Sequence, residues 1–372
     1  TLMGKYGEEG DRLIFKILNN GDFMSGVHSD VPSSQLAALI SKRALRYDLT
    51  VPFARFVSQH RNELQFPFKR YQIQPVWRAD RPQKGRYQEF FQCDADVIGS
   101  NALMHEVEFV LIFDEVLSKL GLDQFTVHIN NRKILAGLAE VSGCTPMFSE
   151  MAVALDKLDK IGEDKVKEEW ASRGISDTSI ERLSEIFSLD LADPFPVLKK
   201  LLAQSEVGLI GVEELEYVFE TVESLGLRKA DLRLNVTLAR GLDYYTGAIF
   251  EVTTDDHAIG SICGGGRYDD LTGVFGLPDM PGVGISFGAD RIYDVLEATS
   301  KWPEDLYQGP VILFVNFGWA EEIHCLRLVT ELRNAGIAAE VYPTAAKMKK
   351  QMKYANDRSI PFVALVGTDE MI

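Results

Sequence analysis

The stretch from Phe68 to Ile98 constrains the fold more than any other part of the chain. Phe68 to Arg78 alternates: Tyr71, Ile73, Pro75 and Trp77 fall on one face, and Arg70, Gln72, Gln74 and Arg78 on the other. Arg86 to Ile98 reads as a second strand, with Gln88, Gln92, Asp94 and Asp96 on one face. Between them runs Ala79 to Gly85, a polar loop containing Pro82 and Gly85. The pattern predicts an antiparallel pair with one polar, ligand-facing side. Six basic residues (Lys69, Arg70, Arg78, Arg81, Lys84, Arg86) against the single acid Asp80 suit an anionic ligand there. The same residues also fit a solvated hairpin.

With 372 residues, two or three domains are expected. A hydrophobic content of 46% and a charged content of 25% indicate a globular chain. The formal net charge of -16 argues against a general nucleic-acid coat protein but leaves room for local basic patches. Cys93, Cys144, Cys263 and Cys325 form no CxxC pair, no HExxH occurs, and no metal site is read from protein motifs. No run of 18 apolar residues suggests a membrane span, and Thr1 to Gly4 does not resemble a signal peptide. The chain does not begin with Met, so its true start is expected upstream.

Further elements follow from periodicity. Ser33 to Ile40 and Ser100 to Gly121 read as helices. Tyr47 to Pro52 reads as a strand end turning into a helix, with Thr50 as cap. Helical periodicity dominates 141–230, as in Met151 to Trp170 and Glu213 to Leu225. Between 150 and 231 there are 19 acidic and 10 basic residues, a net of -9. Strands are expected at Leu232 to Ala239, Ala248 to Thr253 and Ile259 to Cys263. Val283, Ile285 and Phe287 alternate ahead of a helix from Ala289. Trp302 to Pro310 reads as a linker. The tail then alternates strand and helix (Val311–Asn316, Ala320–Ala335, Ile337–Tyr342, Ala345–Asn356, Pro361–Val366), which implies a small parallel α/β unit that is expected to be incomplete.

Two further segments are dense in chemistry. Arg240 to Gly247 sets an Asp and two Tyr between Gly241 and Gly247, with Arg240 ahead of them, which fits a pocket wall or a hairpin turn with aromatic cover and is polar for the latter. Cys263 to Asp270 reads as a glycine-rich loop after a strand, neither a Walker A sequence nor a dinucleotide fingerprint. Arg291 stands just inside a helix, where a guanidinium more often forms a surface ion pair but can also stack on an aromatic plane.

Taken together, VWRADRPQKGRYQEFFQCDADVIG at 76–99, RYDLT at 46–50, RGLDYYTG at 240–247 and Gly282 to Arg291 closely resemble the histidyl-tRNA synthetase family of class II aminoacyl-tRNA synthetases, over nearly the whole chain. The resemblance implies an α/β (α+β) catalytic core on an antiparallel sheet at 1–140 and 231–303, a helical insertion at 141–230, and a truncated anticodon-binding-like domain at 310–372. It implies a histidine–tRNA ligase using ATP with Mg²⁺, acting on L-histidine and tRNA(His), cytoplasmic and homodimeric, with no membrane partner. Arg78 would bridge the substrate carboxylate and the α-phosphate of ATP, with Asp80 beside the nucleotide. Arg240 would approach the α-phosphate from the other side, and Arg291 would stack on adenine. Asp48, Thr50 and Gln92 would hold the α-amino group, while Asp96 and Tyr245 would read the imidazole. Tyr244, Tyr268 and Arg267 would complete the pocket. Lys347, Lys349, Lys350 and Lys353, with Arg358 against Asp357, would meet RNA phosphates.

The chain departs from the family pattern in three ways. The first class motif would lie upstream of Thr1, Asp48 replaces a longer Glu, and 311–372 covers only the start of the anticodon domain. Two other readings use the same resemblance: a non-catalytic regulator of the ATP phosphoribosyltransferase type, and a threonyl- or prolyl-type synthetase. Retention of all three arginines favours the ligase.

Overall fold

The computed structural model describes residues 12–27, 31–188, 193–239, 244–302 and 309–371. Contacts divide the chain into two units, Thr1–Ser300 and Lys301–Ile372. In the first, β1 (Lys16–Ile17) and β2 (Arg43–Ala44) form a short antiparallel pair. The main sheet holds β3 (Phe68–Trp77), β4 (Glu89–Ile98), β5 (Phe125–Asn131), β6 (Ala230–Leu234), β7 (Ala248–Thr254), β8 (Cys263–Tyr268) and β9 (Gly282–Gly288). Their order is β3-β4-β9-β8-β7-β5-β6, with antiparallel neighbours except for the parallel pair β5 and β6.

Register divides the sheet into two chemically distinct faces. Asp96 lies opposite Arg70 on one side and Gly284 on the other, and Gly284 lies opposite Gly266. This near face is therefore polar at one edge and glycine-floored at the centre. The far face carries Val97, Val283, Phe287 and Phe250 and is covered by the helix Met104–Lys119. Phe113 of that helix meets Phe250 and Phe287 edge-on, with centroids 6.3 and 5.4 Å apart. Burying a ring of this kind contributes about 1.5–3 kcal/mol.

Three local expectations are corrected. The glycine-rich loop at Cys263 is strand β8 itself, with all six residues buried. A Cβ on Gly265 would lie 2.2 Å from the Gly284 carbonyl oxygen and 2.8 Å from the Ile285 Cα. Close backbone approach, rather than loop flexibility, requires the glycines. The strand expected to reach Ala239 ends at Leu234, because the Asn235 side chain accepts the Thr237 N–H at 3.1 Å and turns the chain. Asn130 Nδ2 then holds the carbonyls of Val236 and Leu238, at 3.1 and 2.9 Å. The periodic run from Met151 to Trp170 is broken into Phe148–Leu155, Leu158–Ile161 and Glu163–Ser172, with Gly162 at φ +80 between the last two.

The helices between β5 and β6 end with the 20-residue Glu206–Leu225. The chain re-enters the sheet where buried Asp114 accepts the N–H groups of Arg228, Lys229 and Ala230 at 2.7, 2.9 and 2.8 Å. In the second unit, β10 (Ile312–Phe314), β11 (Ala339–Val341) and β12 (Phe362–Ala364) are parallel in the order β11-β10-β12. The connecting helices are Trp319–Asn334 and Met348–Asp357, so the tail has the expected α/β alternation. Among the described residues, no helix is long and apolar enough to cross a membrane.

Replacing Gly265 by Ala should destabilise the first unit by about 3 kcal/mol, since backbone atoms on β9 cannot yield to the new methyl. Urea titration measures this. An unchanged midpoint would mean that β8 and β9 do not approach so closely.

Candidate functional site

The polar row predicted on β3 is a connected hydrogen-bond chain. Arg46 Nη1 donates to Gln74 Oε1. Gln72 Nε2 donates to the same oxygen at 3.0 Å, and Arg70 Nη1 donates to Gln72 Oε1 at 3.0 Å. Arg70 Nη2 reaches Asp96 Oδ2 at 2.9 Å and the Leu49 carbonyl at 3.2 Å. The Tyr268 hydroxyl donates to Asp96 Oδ1 at 2.5 Å. Asp96 is only 3% exposed, so its charge survives through these two partners.

The helix Thr50–His60 delivers the next residues. Asp48 Oδ1 accepts the Val51 N–H at 3.3 Å, and Thr50 is the first helical residue rather than the expected cap. This frees the Thr50 hydroxyl to hydrogen-bond Tyr244. The rings of Tyr244 and Tyr245 lie 4.8 Å apart, and those of Tyr244 and Tyr268 lie 6.3 Å apart. Tyr245 rests on the glycine floor, where a Cβ on Gly266 would come within 2.6 Å of its ring. On β4, Gln92 Nε2 donates to the Ser286 hydroxyl at 3.1 Å. Asp48, Thr50, Asp96, Tyr244, Tyr245 and Tyr268 thus converge around the near face, with Gln92 beside them on β4.

Cationic residues stand around the loops at the strand ends. Arg78 Nε donates to the Tyr47 carbonyl at 3.1 Å, and its guanidinium lies 4.4 Å from the Tyr47 ring centroid and 5.2 Å from that of Phe90. Asp80 lies 3.8 Å from Arg86. Arg291 Nε donates to the Gly85 carbonyl at 2.6 Å, and its Nη1 donates to the Ser261 carbonyl. It thereby joins the β3–β4 loop to the approach to β8. Arg240, with Gly241, Leu242 and Asp243, lies outside the described residues.

Arg267 is not brought to this cluster. Its side chain is on the far face, where Nε and Nη2 meet Glu106 at 2.6 and 2.9 Å. Strand alternation explains the difference: Tyr268 faces the cup, so its neighbour must face away. The pocket contact expected of Arg267 is replaced by a buried ion pair that ties β8 to the helix Met104–Lys119.

Sequence reasoning left Arg46, Arg70, Gln72, Gln74, Asp94 and Ser286 without site roles. The alternation had already placed most of them on the polar face; their mutual contacts had no sequence signal. Asp94 is 3% exposed, and burial together with the neighbouring Asp96 pushes its pKa up to about 8. Burial also pushes Asp96 up, but Arg70 and the Tyr268 hydrogen bond oppose the shift. The proton of this pair therefore resides on Asp94. Burial and nearby acids hold the hydroxyls of Tyr244 and Tyr268 well above the ordinary range, so both remain donors. Gln92 Oε1 and Asp94 Oδ1 are buried acceptors with no partner among the described residues. The cup is thus suited to a ligand rich in N–H donors, with guanidinium groups nearby for an anion.

In the second unit, Lys347, Lys349, Lys350 and Lys353 are exposed at the start of and along the helix Met348–Asp357. That helix is anchored by buried Gln351, whose side chain bonds both N and O of Asn316 at 2.8 and 2.9 Å.

Residues 38–292 match the histidyl-tRNA synthetase family, and residues 311–372 match the anticodon binding domain family. A histidine–tRNA ligase of Christiangramia forsetii is 57% identical over 378 residues, covering 100% of this chain and 83% of that relative. The crystal structure of a histidyl-tRNA synthetase from Nostoc superposes with a TM-score of 0.76 at 33% identity, over 88% of this chain and 77% of that one. A Bacillus halodurans structure described as an ATP phosphoribosyltransferase regulatory subunit/histidyl-tRNA synthetase shares the fold, with a TM-score of 0.74 at 23% identity over 95% of this chain and 83% of that one.

Two outcomes test this geometry. Glu106→Ala leaves the buried Arg267 guanidinium with only the Ser100 carbonyl and Asp269, at 3.3 and 3.4 Å, and should cost about 3–5 kcal/mol, most of it recovered by combining Glu106→Leu with Arg267→Met. Thermal melts that show the double variant as unstable as the single would remove the structural role of the pair. The second concerns pH. The pKa of Asp94 is raised from 3.8 to about 8, so the folded chain holds a proton that the unfolded chain has lost. The stabilisation linked to that proton is complete below the unfolded value and is lost as pH rises through the folded one. Relative to the parent, Asp94→Asn should therefore gain on the order of 4 kcal/mol between about pH 5 and pH 8.5. A pH-independent difference would show that Asp94 holds no such proton.

Proposed function

The chain belongs to the histidyl-tRNA synthetase family, and from that premise we propose a residue-level account of its reaction. It is an ATP-dependent aminoacyl-tRNA ligase whose substrates are L-histidine, ATP and tRNA(His). The histidine carboxylate attacks the α-phosphorus of ATP and pyrophosphate leaves. The histidyl group then passes from the adenylate to the 3′ end of the tRNA, releasing AMP. Identity of 57% across the whole chain to a ligase disfavours the non-catalytic alternative.

The observation that carries the residue-level account is the buried Asp96–Tyr268 contact at the base of the cup, beside Tyr245 on its glycine floor. On this reading Asp96 accepts from one imidazole N–H and Tyr245 meets the other ring nitrogen, while Asp48, Thr50 and Gln92 hold the α-ammonium group. Tyr244 and Tyr268 fix the walls. An isostere without the ring nitrogens would leave these polar groups unmatched, which is a large penalty. Arg78 aligns the substrate carboxylate with the α-phosphate, Arg240 faces that phosphate from the opposite side, and both spread the developing charge. Asp80 lies against the nucleotide, and Arg291 stacks on adenine. Mg²⁺ would be held mainly through the β- and γ-phosphates of ATP and would neutralise the charge that leaves with pyrophosphate.

The remaining assignments rest on placement. We read 1–140 and 231–303 as the catalytic domain, 141–230 as an insertion within it, and 310–372 as the anticodon-binding part. Lys347, Lys349, Lys350 and Lys353 would meet tRNA phosphates. Tyr71, Ile73 and Phe91 are 81%, 59% and 46% exposed on the far face of β3 and β4, a surface suited to a second copy in a homodimer. On this reading the working compartment is the cytoplasm, where translation consumes the charged tRNA.

Histidine-dependent ATP–pyrophosphate exchange tests the account. Arg78→Ala should lower exchange roughly 10²–10³-fold. Arg240→His should abolish adenylate formation while histidine still binds by calorimetry, and normal turnover in that variant would overturn the role given to Arg240.

A further inference from the structure

Between the two β4 residues assigned to the substrate stands a third, Asp94, to which that account gives no task. It lies opposite Gln72 of β3 on one side and opposite Ser286 of β9 on the other. The Ser286 hydroxyl hydrogen-bonds Asp94, and Gln92 Nε2 donates to the same hydroxyl at 3.1 Å. A serine hydroxyl has one proton and two lone pairs. When the Asp94 carboxylate accepts a hydrogen bond from that O–H, Ser286 offers Gln92 only an acceptor. The Gln92 carboxamide must then turn its NH₂ toward Ser286 and leave Oε1 for the cup. That oxygen and Asp94 Oδ1 are both buried acceptors without a hydrogen-bond partner among the described residues.

We propose that Asp94 is a positioning residue for histidine: acting through the Ser286 hydroxyl, it fixes the Gln92 carboxamide with Oε1 directed at the substrate's α-ammonium group. This rests on the reading of Gln92 as an ammonium ligand. Two-fold ambiguity is inherent in an amide side chain, and an apolar or hydroxyl-free neighbour would not resolve it. The charges facing Asp94 support an incoming cation. Arg70 from β3 faces it together with Asp96 from its own strand, Asp48 from the segment before the helix Thr50–His60, and neutral Tyr268 from β8. One guanidinium is set against three buried acids, and that guanidinium already serves Asp96, Gln72 and Leu49. Without substrate, the imbalance is relieved by a proton on Asp94. The arriving ammonium replaces that proton, so binding near neutral pH releases it and switches Asp94 to its accepting form.

The test uses histidine-dependent exchange in the full-length enzyme from pH 6 to pH 8.5. Asp94→Asn should raise KM for histidine at least tenfold at pH 8, with KM for ATP unchanged and kcat within about threefold. The ratio of variant to parent KM should shrink as pH falls, because protonation weakens only the parent. Ser286→Ala should also raise histidine KM, and adding it to Asp94→Asn should cause no further loss. A fall in kcat with histidine KM unchanged would overturn the proposal. So would a KM ratio constant across pH, or additive losses in the double variant. If Asp94→Asn does not fold, the pH dependence of Ser286→Ala decides: a parent-like profile with unchanged histidine KM rejects the relay. Gln92→Ala separates the two layers. A rise in its KM without one in Asp94→Asn rejects only the positioning role, whereas no rise in Gln92→Ala rejects the ammonium reading itself.

Discussion

Arg70 and Asp96 face each other across the β3–β4 ladder, and the near face is organised outward from that ion pair. A carboxylate sealed from water needs a cation, and a guanidinium has donors to spare once the carboxylate is served. Arg70 uses the surplus on Gln72, which continues through Gln74 to Arg46, and on the Leu49 carbonyl, which fixes the start of the helix that begins at Thr50, just after Asp48. One side chain therefore sets the relative positions of two strands and a helix. A slip of one residue would send Arg70 into the far face and break its contacts to Asp96 and the Leu49 carbonyl.

The far face solves a different problem. It is packed with rings and aliphatic side chains, yet strand β8 drives Arg267 into it as the alternate neighbour of Tyr268. Glu106, fully buried, neutralises that intrusion. The two ion pairs occupy opposite sides of one sheet and do opposite work. The Glu106 pair is closed, with its hydrogen bonds spent inside the protein. The Arg70 pair belongs to a network that ends in acceptors without partners, and such ends give a low-dielectric cup its appetite for a donor-rich ligand.

Much of this is legible in the amino-acid sequence. The strict alternation of Phe68 to Arg78 and Gln88 to Asp96 identified the polar face, because period two is a geometric property of strands. The strand–helix alternation of the tail identified its parallel unit for a similar reason. The glycines of β8 misled, since composition alone cannot distinguish a flexible turn from a strand pressed against a neighbouring backbone. Arg267 misled because proximity in sequence to Tyr268 says nothing about which face a side chain takes until the register is known. The tasks of Arg70 and Asp94 were hidden for a deeper reason. Which acid keeps a charge and which keeps a proton depends on partners contributed by β8 and β9, more than 170 residues away in sequence.

Strands β5 and β6 lie side by side and parallel, although about one hundred residues separate them in the chain. A parallel neighbour must be reached by a crossover, and nothing in that requirement limits how elaborate the crossover becomes. Closure entropy grows only logarithmically with length, so lengthening or shortening the excursion would tax the sheet little. With Asp114 clasping the returning backbone, the segment between these strands is a natural splice point, where whole helices could be exchanged between lineages or by design while the strands on either side keep their register.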